Sequence, residues 1–152
     1  MGRILGIDYG TRRIGVAISD PTRQIASPYA VWPAEPQGKL LQELRVLCSE
    51  LQVVRIVVGR PVRTDGTEGP EVLRVREFAN WLRTELGLDV EEWDERWTTV
   101  TAERALIEGG MRREKRKERR DAVAAQVMLQ HYLDTQAHAR PDPPLGSTAL
   151  DE

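Results

Sequence analysis

The spacing of apolar residues changes once along this chain, and that change constrains the fold more than any other feature. Arg3 to Asp8 is a short apolar run stopped by an acid, as in a buried central strand. Gly10 to Arg13 reads as a turn, and Ile14 to Ser19 as a second strand paired back on the first. Asp20-Pro21 turns the chain again. Ile25 to Trp32 gives a third strand, with Pro28 favouring a sheet edge. From there the period becomes helical: Leu40, Leu44, Leu47 and Leu51 fall on one face. Val53 to Val58 is the strongest strand signal, and Gly59 to Pro70 is a loop containing an Asp65-Gly66 turn. Val72, Val75, Ala79, Leu82 and Leu86 mark a second helix, ended by Gly87 before a strand from Leu88 to Trp93. Thr98 or Thr99 caps a short third helix carrying Ala102, Ala105 and Leu106, broken at Gly109-Gly110. Asp121 to Leu133 forms a fourth. The order β-β-β-α-β-α-β-α-α predicts an α/β fold, a five-stranded mixed sheet with helices on both faces.

A chain of 152 residues is long enough for one substantial core. We expect a single domain over 1–136, and a disordered tail over 137–152, where Pro and small polar residues dominate. Aromatics are only 5%, so the core rests mainly on Leu, Val, Ile and Ala. No apolar stretch approaches the roughly 20 residues that span a bilayer, and the N-terminal run is too short for a signal peptide. The expectation is a cytoplasmic protein with no membrane partner. Cys48, the only cysteine, rules out an intrachain disulfide and suits a reducing compartment. Beside Leu47 it reads as a small buried hydrophobe. The net charge of −2 does not advertise a nucleic-acid partner, but Arg112 to Arg120 holds seven basic residues against two acids. A local basic segment can bind phosphates even in a mildly acidic protein.

Three acids stand out from the rest. Functional groups in a mostly parallel sheet gather at the carboxyl ends of strands. Asp8 ends the first strand between Gly6 and Gly10, which would let a ligand or another backbone come close. Glu95 follows the last strand, so it shares an edge with Asp8 if those two strands run parallel. Asp121 lies on one helical stripe with Ala125, Met128 and Tyr132, and a carboxylate buried there requires compensation. Each acid also has an ordinary reading. Asp8 could open an Asx turn, Glu95 could pair with Arg96, and Asp121 could be an N-cap or pair with Arg119 or Arg120. One shared geometry favours the three acting together. An oxygen-only site suits Mg²⁺ or Mn²⁺ rather than zinc. His131 and His138 lack ligand spacing, and His131 reads as a surface residue.

Gly6-Ile7-Asp8-Tyr9-Gly10-Thr11, Asp65-Gly66-Thr67-Glu68-Gly69-Pro70, Asp94-Glu95-Arg96 with Thr98-Thr99, and Asp121 with Ala124-Ala125 together resemble the YqgF/RuvX family. The similarity runs in order over about residues 3 to 134. It implies a ribonuclease H-like fold and a nuclease that processes the 5′ end of pre-16S ribosomal RNA, or alternatively resolves Holliday junctions. The family's Asp, Glu and Asp fall on Asp8, Glu95 and Asp121. Trp97 departs from the family's usual Leu, placing a large ring beside Glu95. Arg120 replaces an aliphatic residue before the last acid. Ala124 stands where related junction resolvases tend to carry another acid, and Glu118, one turn before Asp121, is a candidate assistant.

The expected chemistry is hydrolysis of a phosphodiester aided by one or two divalent ions, with Asp8 bridging and Glu95 and Asp121 on either side. Arg12, Arg13 and the segment Arg112, Arg113, Lys115, Arg116, Lys117, Arg119 and Arg120 would hold backbone phosphates. Arg60 and Arg63 would contact substrate from their loop, and Arg96 would hold phosphate or pair with an acid. The partner is structured RNA or branched DNA. A symmetric junction cutter would require a homodimer, whereas an RNA trimmer would not. Two rivals remain: an actin- or sugar-kinase-like phosphate binder, for which one domain is too little, and a non-catalytic nucleic-acid-binding module.

Overall fold

The computed structural model describes residues 2–10, 12–60, 69–94 and 113–139; for Asp94, 113–121 and 138–139 it gives the backbone alone. In chain order the elements are β1 (Arg3–Tyr9), β2 (Arg13–Ser19), β3 (Ala26–Pro33), α1 (Gln37–Glu50), β4 (Val53–Arg60), α2 (Pro70–Leu86), β5 (Asp89–Asp94) and α3 (Arg113–Ala139). Every expected strand is present. The short helix expected over Thr98 to Leu106 lies outside the described residues.

Two boundaries correct the sequence reading. β4 continues through Gly59 and Arg60, which were assigned to the following loop. The last helix starts at Arg113 rather than Asp121. Residues 113–120 carry no apolar period, so the pattern gave no helical signal there. They are all Arg, Lys or Glu, whose straight side chains lose little freedom in a helix.

The sheet order is β3-β2-β1-β4-β5. β1 runs antiparallel to β2, and β2 antiparallel to β3, while β4 lies parallel to both β1 and β5. β3 is the edge strand that Pro28 suggested. Alternation along the strands builds two layers of core. Leu5, Ile7, Ile14, Val16, Ile56 and Val58 face α1 and α2. Ile4, Ala17, Ala26 and Val57 face α3 through Ala125, Met128, Leu129 and Tyr132. Cys48 belongs to the first layer, and burial pushes its thiol up to about 11, as befits a packing residue.

Gly6 is required by the second layer. A Cβ there would lie 2.9 Å from the Cβ of Leu129, so α3 rests directly on β1. Gly10 serves the β1–β2 turn, where an added Cβ would stand 2.6 Å from the Arg13 carbonyl oxygen. Both glycines therefore admit the protein's own atoms. At the end of α2, Gly87 takes a left-handed φ of 67° and its N–H donates to the Arg83 carbonyl.

Candidate active site

Asp8 lies one residue before the end of β1, and alternation with Ile4 and Gly6 puts it on the face covered by α3. One row of the sheet joins Ile7 to Val58 and Val58 to Glu92, so β1, β4 and β5 finish at a common edge. The parallel arrangement on which the pairing of Asp8 with Glu95 depended is thus present. β5 ends at Asp94, and Glu95 itself lies outside the described residues. The Asp8 side chain is half-buried and has no hydrogen-bond or ion-pair partner among the described residues. In the turn that follows, the Gly10 N–H donates to the Arg13 carbonyl oxygen at 3.0 Å rather than to Asp8, so the Asx-turn reading finds no support.

Asp121 lies well inside α3, which removes the N-cap reading. Ala125, Met128, Leu129 and Tyr132 are each 0% exposed, so the stripe inferred from periodicity is the sheet-facing one. Asp121 occupies the position one turn before Ala125, and its side chain is outside the description. Among the described residues no group of three or more His, Cys, Asp or Glu side chains converges. Of the three expected acids, only Asp8 has a described side chain.

The basic residues separate into groups. Arg12 is exposed at the edge that holds Asp8, and Arg13 is half-buried at the start of β2. Arg60 is half-buried on the last residue of β4, opposite Asp94. Arg63, Arg96 and Arg112 lie outside the described residues. Arg113, Lys115, Arg116, Lys117, Arg119 and Arg120, with Glu118, share one continuous helix with Asp121.

Sequence reasoning missed a polar network between α3 and the sheet. Arg55 donates to Asp89 at 2.8 Å and to the Tyr132 hydroxyl at 2.9 Å. Tyr132 in turn donates to Glu91 Oε1 at 2.9 Å. Burial holds the Tyr132 phenol above its ordinary value, an effect that Arg55 opposes and Glu91 reinforces. Trp93 packs edge-to-face on Tyr132 with ring centroids 5.1 Å apart, and its indole N–H donates to His131 Nδ1 at 3.2 Å. His131 is exposed, as expected, yet it has this partner. The one available signal was alternation: Arg55, Glu91 and Trp93 occupy strand positions that must face a helix. The network fixes how α3 sits across β4 and β5.

A β-β-β-α-β-α-β sheet, closed on one face by a last helix, has the architecture of the ribonuclease H-like fold. Thermus thermophilus RuvC, solved with a Holliday junction substrate, superposes with a TM-score of 0.53 at 15% identity, covering 91% of this chain and 96% of that one. The fowlpox virus Holliday junction resolvase superposes equally well, at 0.53 and 12% identity over 88% and 98% of the two chains. At such identities the likeness establishes the fold. The family is fixed by sequence: the model described as "RuvX: Holliday junction resolvase" matches residues 2–135. This chain belongs to the RuvX family. A relative from Roseiflexus, named as a candidate pre-16S rRNA nuclease, is 42% identical over 89% of this chain and 96% of its own length. One of the same name from Syntrophomonas wolfei is 43% identical over 87% and 94%. Among the described residues no helix is long and apolar enough to cross a membrane.

Proposed function

We propose that this chain is a divalent-metal-dependent nuclease that trims the 5′ end of precursor 16S ribosomal RNA, with Asp8, Glu95 and Asp121 as its acidic site. One observation carries this reading. Asp8 is a half-buried carboxylate with no hydrogen-bond or ion-pair partner among the described residues, at the edge of a central parallel strand and beneath the helix that bears Asp121. Leaving such a group without a hydrogen-bond donor is costly unless something else compensates it. The donor chemistry fits a hard cation, because carboxylate oxygens suit Mg²⁺ or Mn²⁺. Such a cation, when bound, stabilises charge on the phosphate and makes water a nucleophile near neutral pH.

The chain's own residues supply the rest. Asp8 and Asp121 come from two rigid elements whose spacing is set by Gly6 against Leu129 and by the Tyr132 network. Glu95 enters directly after β5 in sequence. Arg12 and the basic turns of α3 hold phosphates on either side of the scissile bond. The names of the relatives favour ribosomal RNA as the substrate. The family description favours a second reading, cleavage of a four-way DNA junction, which would call for a homodimer presenting two sites.

Side-by-side assays on precursor 16S RNA and a four-way junction, with Mg²⁺ or Mn²⁺, separate the two readings. Asp8→Asn should lower cleavage of the true substrate by at least about 100-fold, the scale of lost acid–base or electrostatic catalysis. Undiminished cleavage by a folded Asp8→Asn protein would sink the site. Faster cutting of the junction than of the RNA would replace the first reading with the second.

A further inference from the structure

A cavity of about 470 Å³ opens on the α3 face of the sheet, at the end opposite Asp8. Its volume falls within the range of small-molecule sites, roughly 300–1,000 Å³. Ile4 lines it from the start of β1, four residues before Asp8 and on the same face, or about 13 Å along the strand. The acidic edge makes no use of it. A slip in the ladder builds one wall. Arg3 pairs with Val53 and Ile4 with Arg55, which leaves Val54 as the extra residue of a bulge. Regular alternation would send Val54 and Arg55 to opposite faces, yet both line the cavity.

The turn between β2 and β3 forms another wall, and it is held in place. Asp20 Oδ1 accepts the Gln24 and Ile25 N–H groups at 2.8 and 2.9 Å, and Oδ2 accepts the Thr22 hydroxyl. Gln130 clamps the turn to α3: its Oε1 accepts the Ala26 N–H and its Nε2 donates to the Gln24 carbonyl oxygen, both at 2.8 Å. Within this turn Arg23 takes a left-handed φ of 60°, which is costly for a residue with a Cβ. Its guanidinium lines the cavity and has no partner among the described residues. Arg55 commits Nε to Asp89 and Nη1 to the Tyr132 hydroxyl, and a guanidinium has further donors to offer. Gln24 and Gln136 also line the cavity, their side-chain amides without partners among the described residues. Ile4, Val54, Leu133 and Ala137 give it an apolar floor, and no acid is among the described residues that line it.

We propose that this cavity is a nucleotide subsite: Arg23 and Arg55 take the phosphate, the base lies on the apolar floor, and the amides of Gln24 and Gln136 meet the base edge. Guanidinium forks match phosphate oxygens, and a glutamine amide pairs with the adjacent donor and acceptor of adenine. A bare anion would leave the apolar floor wet, and an apolar ligand would leave two cations unanswered. A free nucleotide and the phosphorylated end of an RNA strand offer the same chemistry. The subsite is separate from the acidic edge, so it stands or falls independently of Asp8.

The test is calorimetric titration of the full-length protein, in EDTA, with AMP, adenosine, inorganic phosphate and 5′-phosphorylated triadenylate. AMP should bind more tightly than adenosine or phosphate. Arg23→Asn removes the cation but keeps a residue that tolerates a left-handed φ. It should weaken AMP binding by about 10- to 150-fold, the scale of hydrogen bonds to a charged group, with the urea midpoint near the parent's. Gln136→Glu should abolish AMP binding by setting a carboxylate against the phosphate. Asp8→Asn should bind AMP as the parent does. Triadenylate held more tightly than AMP, and released by Arg23→Asn, assigns the subsite to an RNA end; equal affinities assign it to a free nucleotide. AMP affinity unchanged by Arg23→Asn, or adenosine bound as tightly as AMP, overturns the subsite. Loss of AMP binding in Asp8→Asn would put the nucleotide at the acidic edge and overturn it as well.

Discussion

The two faces of the sheet are built on different principles. Against α1 and α2 the contacts are broad and apolar: Leu5, Ile7, Ile14, Val16, Ile56 and Val58 meet Leu40, Leu44, Leu47, Val75, Phe78 and Leu82. Tyr9 adds a ring contact to Phe78 at 4.4 Å. Against α3 the strands offer a smaller patch, with Gly6, Ala17 and Ala26 letting the helix sit close. Directed contacts from Arg55, Glu91 and Trp93 then fix it. Apolar burial is non-directional and supplies most of the stability. Hydrogen bonds add less net energy but specify position. The face on which the proposed acidic site depends is the one held by geometry.

If that division is right, damage to the first face should cost stability and spare chemistry. Leu82 is fully buried on α2. Leu82→Ala should destabilise the protein by about 2–5 kcal/mol, the range for a leucine cavity. Its urea midpoint should fall, while cleavage per folded molecule stays near that of the parent. A large loss of turnover in the folded Leu82→Ala protein would show that the α2 face also positions the site, and the contrast would break.

Gly6→Ala tests the opposite face. The new methyl must push Leu129 and α3 outward, an overpacking penalty of about 1–3 kcal/mol. Turnover should fall by more than this stability loss implies, because the displaced helix carries Asp121. Unfolding curves and single-turnover cleavage on the same preparation separate the two effects. A stability loss with unchanged turnover would mean that the height of α3 does not set the chemistry.

The two faces also differ in how far they could be foreseen. The apolar periods of Leu40, Leu44 and Leu47, and of Val72, Val75, Ala79 and Leu82, located both helices of the first face, because burial there follows residue type. The phase of Ala125, Met128 and Tyr132 found the sheet-facing stripe of α3 for the same reason. Its N-terminal turns escaped notice, since Arg, Lys and Glu from 113 to 120 favour a helix by propensity without any apolar period. The place of Asp8 near the end of β1 was legible because it interrupts an apolar run there. The role of Gly6 was not, since it depends on Leu129, far along the chain. Nor was the cavity beside Val54 and Arg55: a bulge is a property of two paired strands, and regular alternation sends those side chains apart. The bonds joining Arg55, Asp89, Glu91 and Tyr132 likewise form only once the sheet order is known.

Tyr132→Phe gives the smallest expected effect and the sharpest test of the polar face. The ring, its packing and its contact with Trp93 remain, so only the hydroxyl between Arg55 and Glu91 is lost. The cost should be about 1–2 kcal/mol, since two hydrogen bonds are lost and each is worth roughly 0.5–1.5 kcal/mol net. Its pH dependence is more telling. Burial, the largest cause, raises the native phenol above the ordinary tyrosine value. In the unfolded chain that phenol ionises first as pH climbs past about 10, so the native state then binds more protons. Stability carried by Tyr132 is therefore fully present below about pH 10 and declines as pH rises from there toward the native pKa. Phenylalanine has no proton to lose, so the variant's urea midpoint should fall less steeply than the parent's over that alkaline window. Parallel curves for the two proteins would mean that the buried phenol is not held neutral by its surroundings, and that α3 is fixed by packing alone.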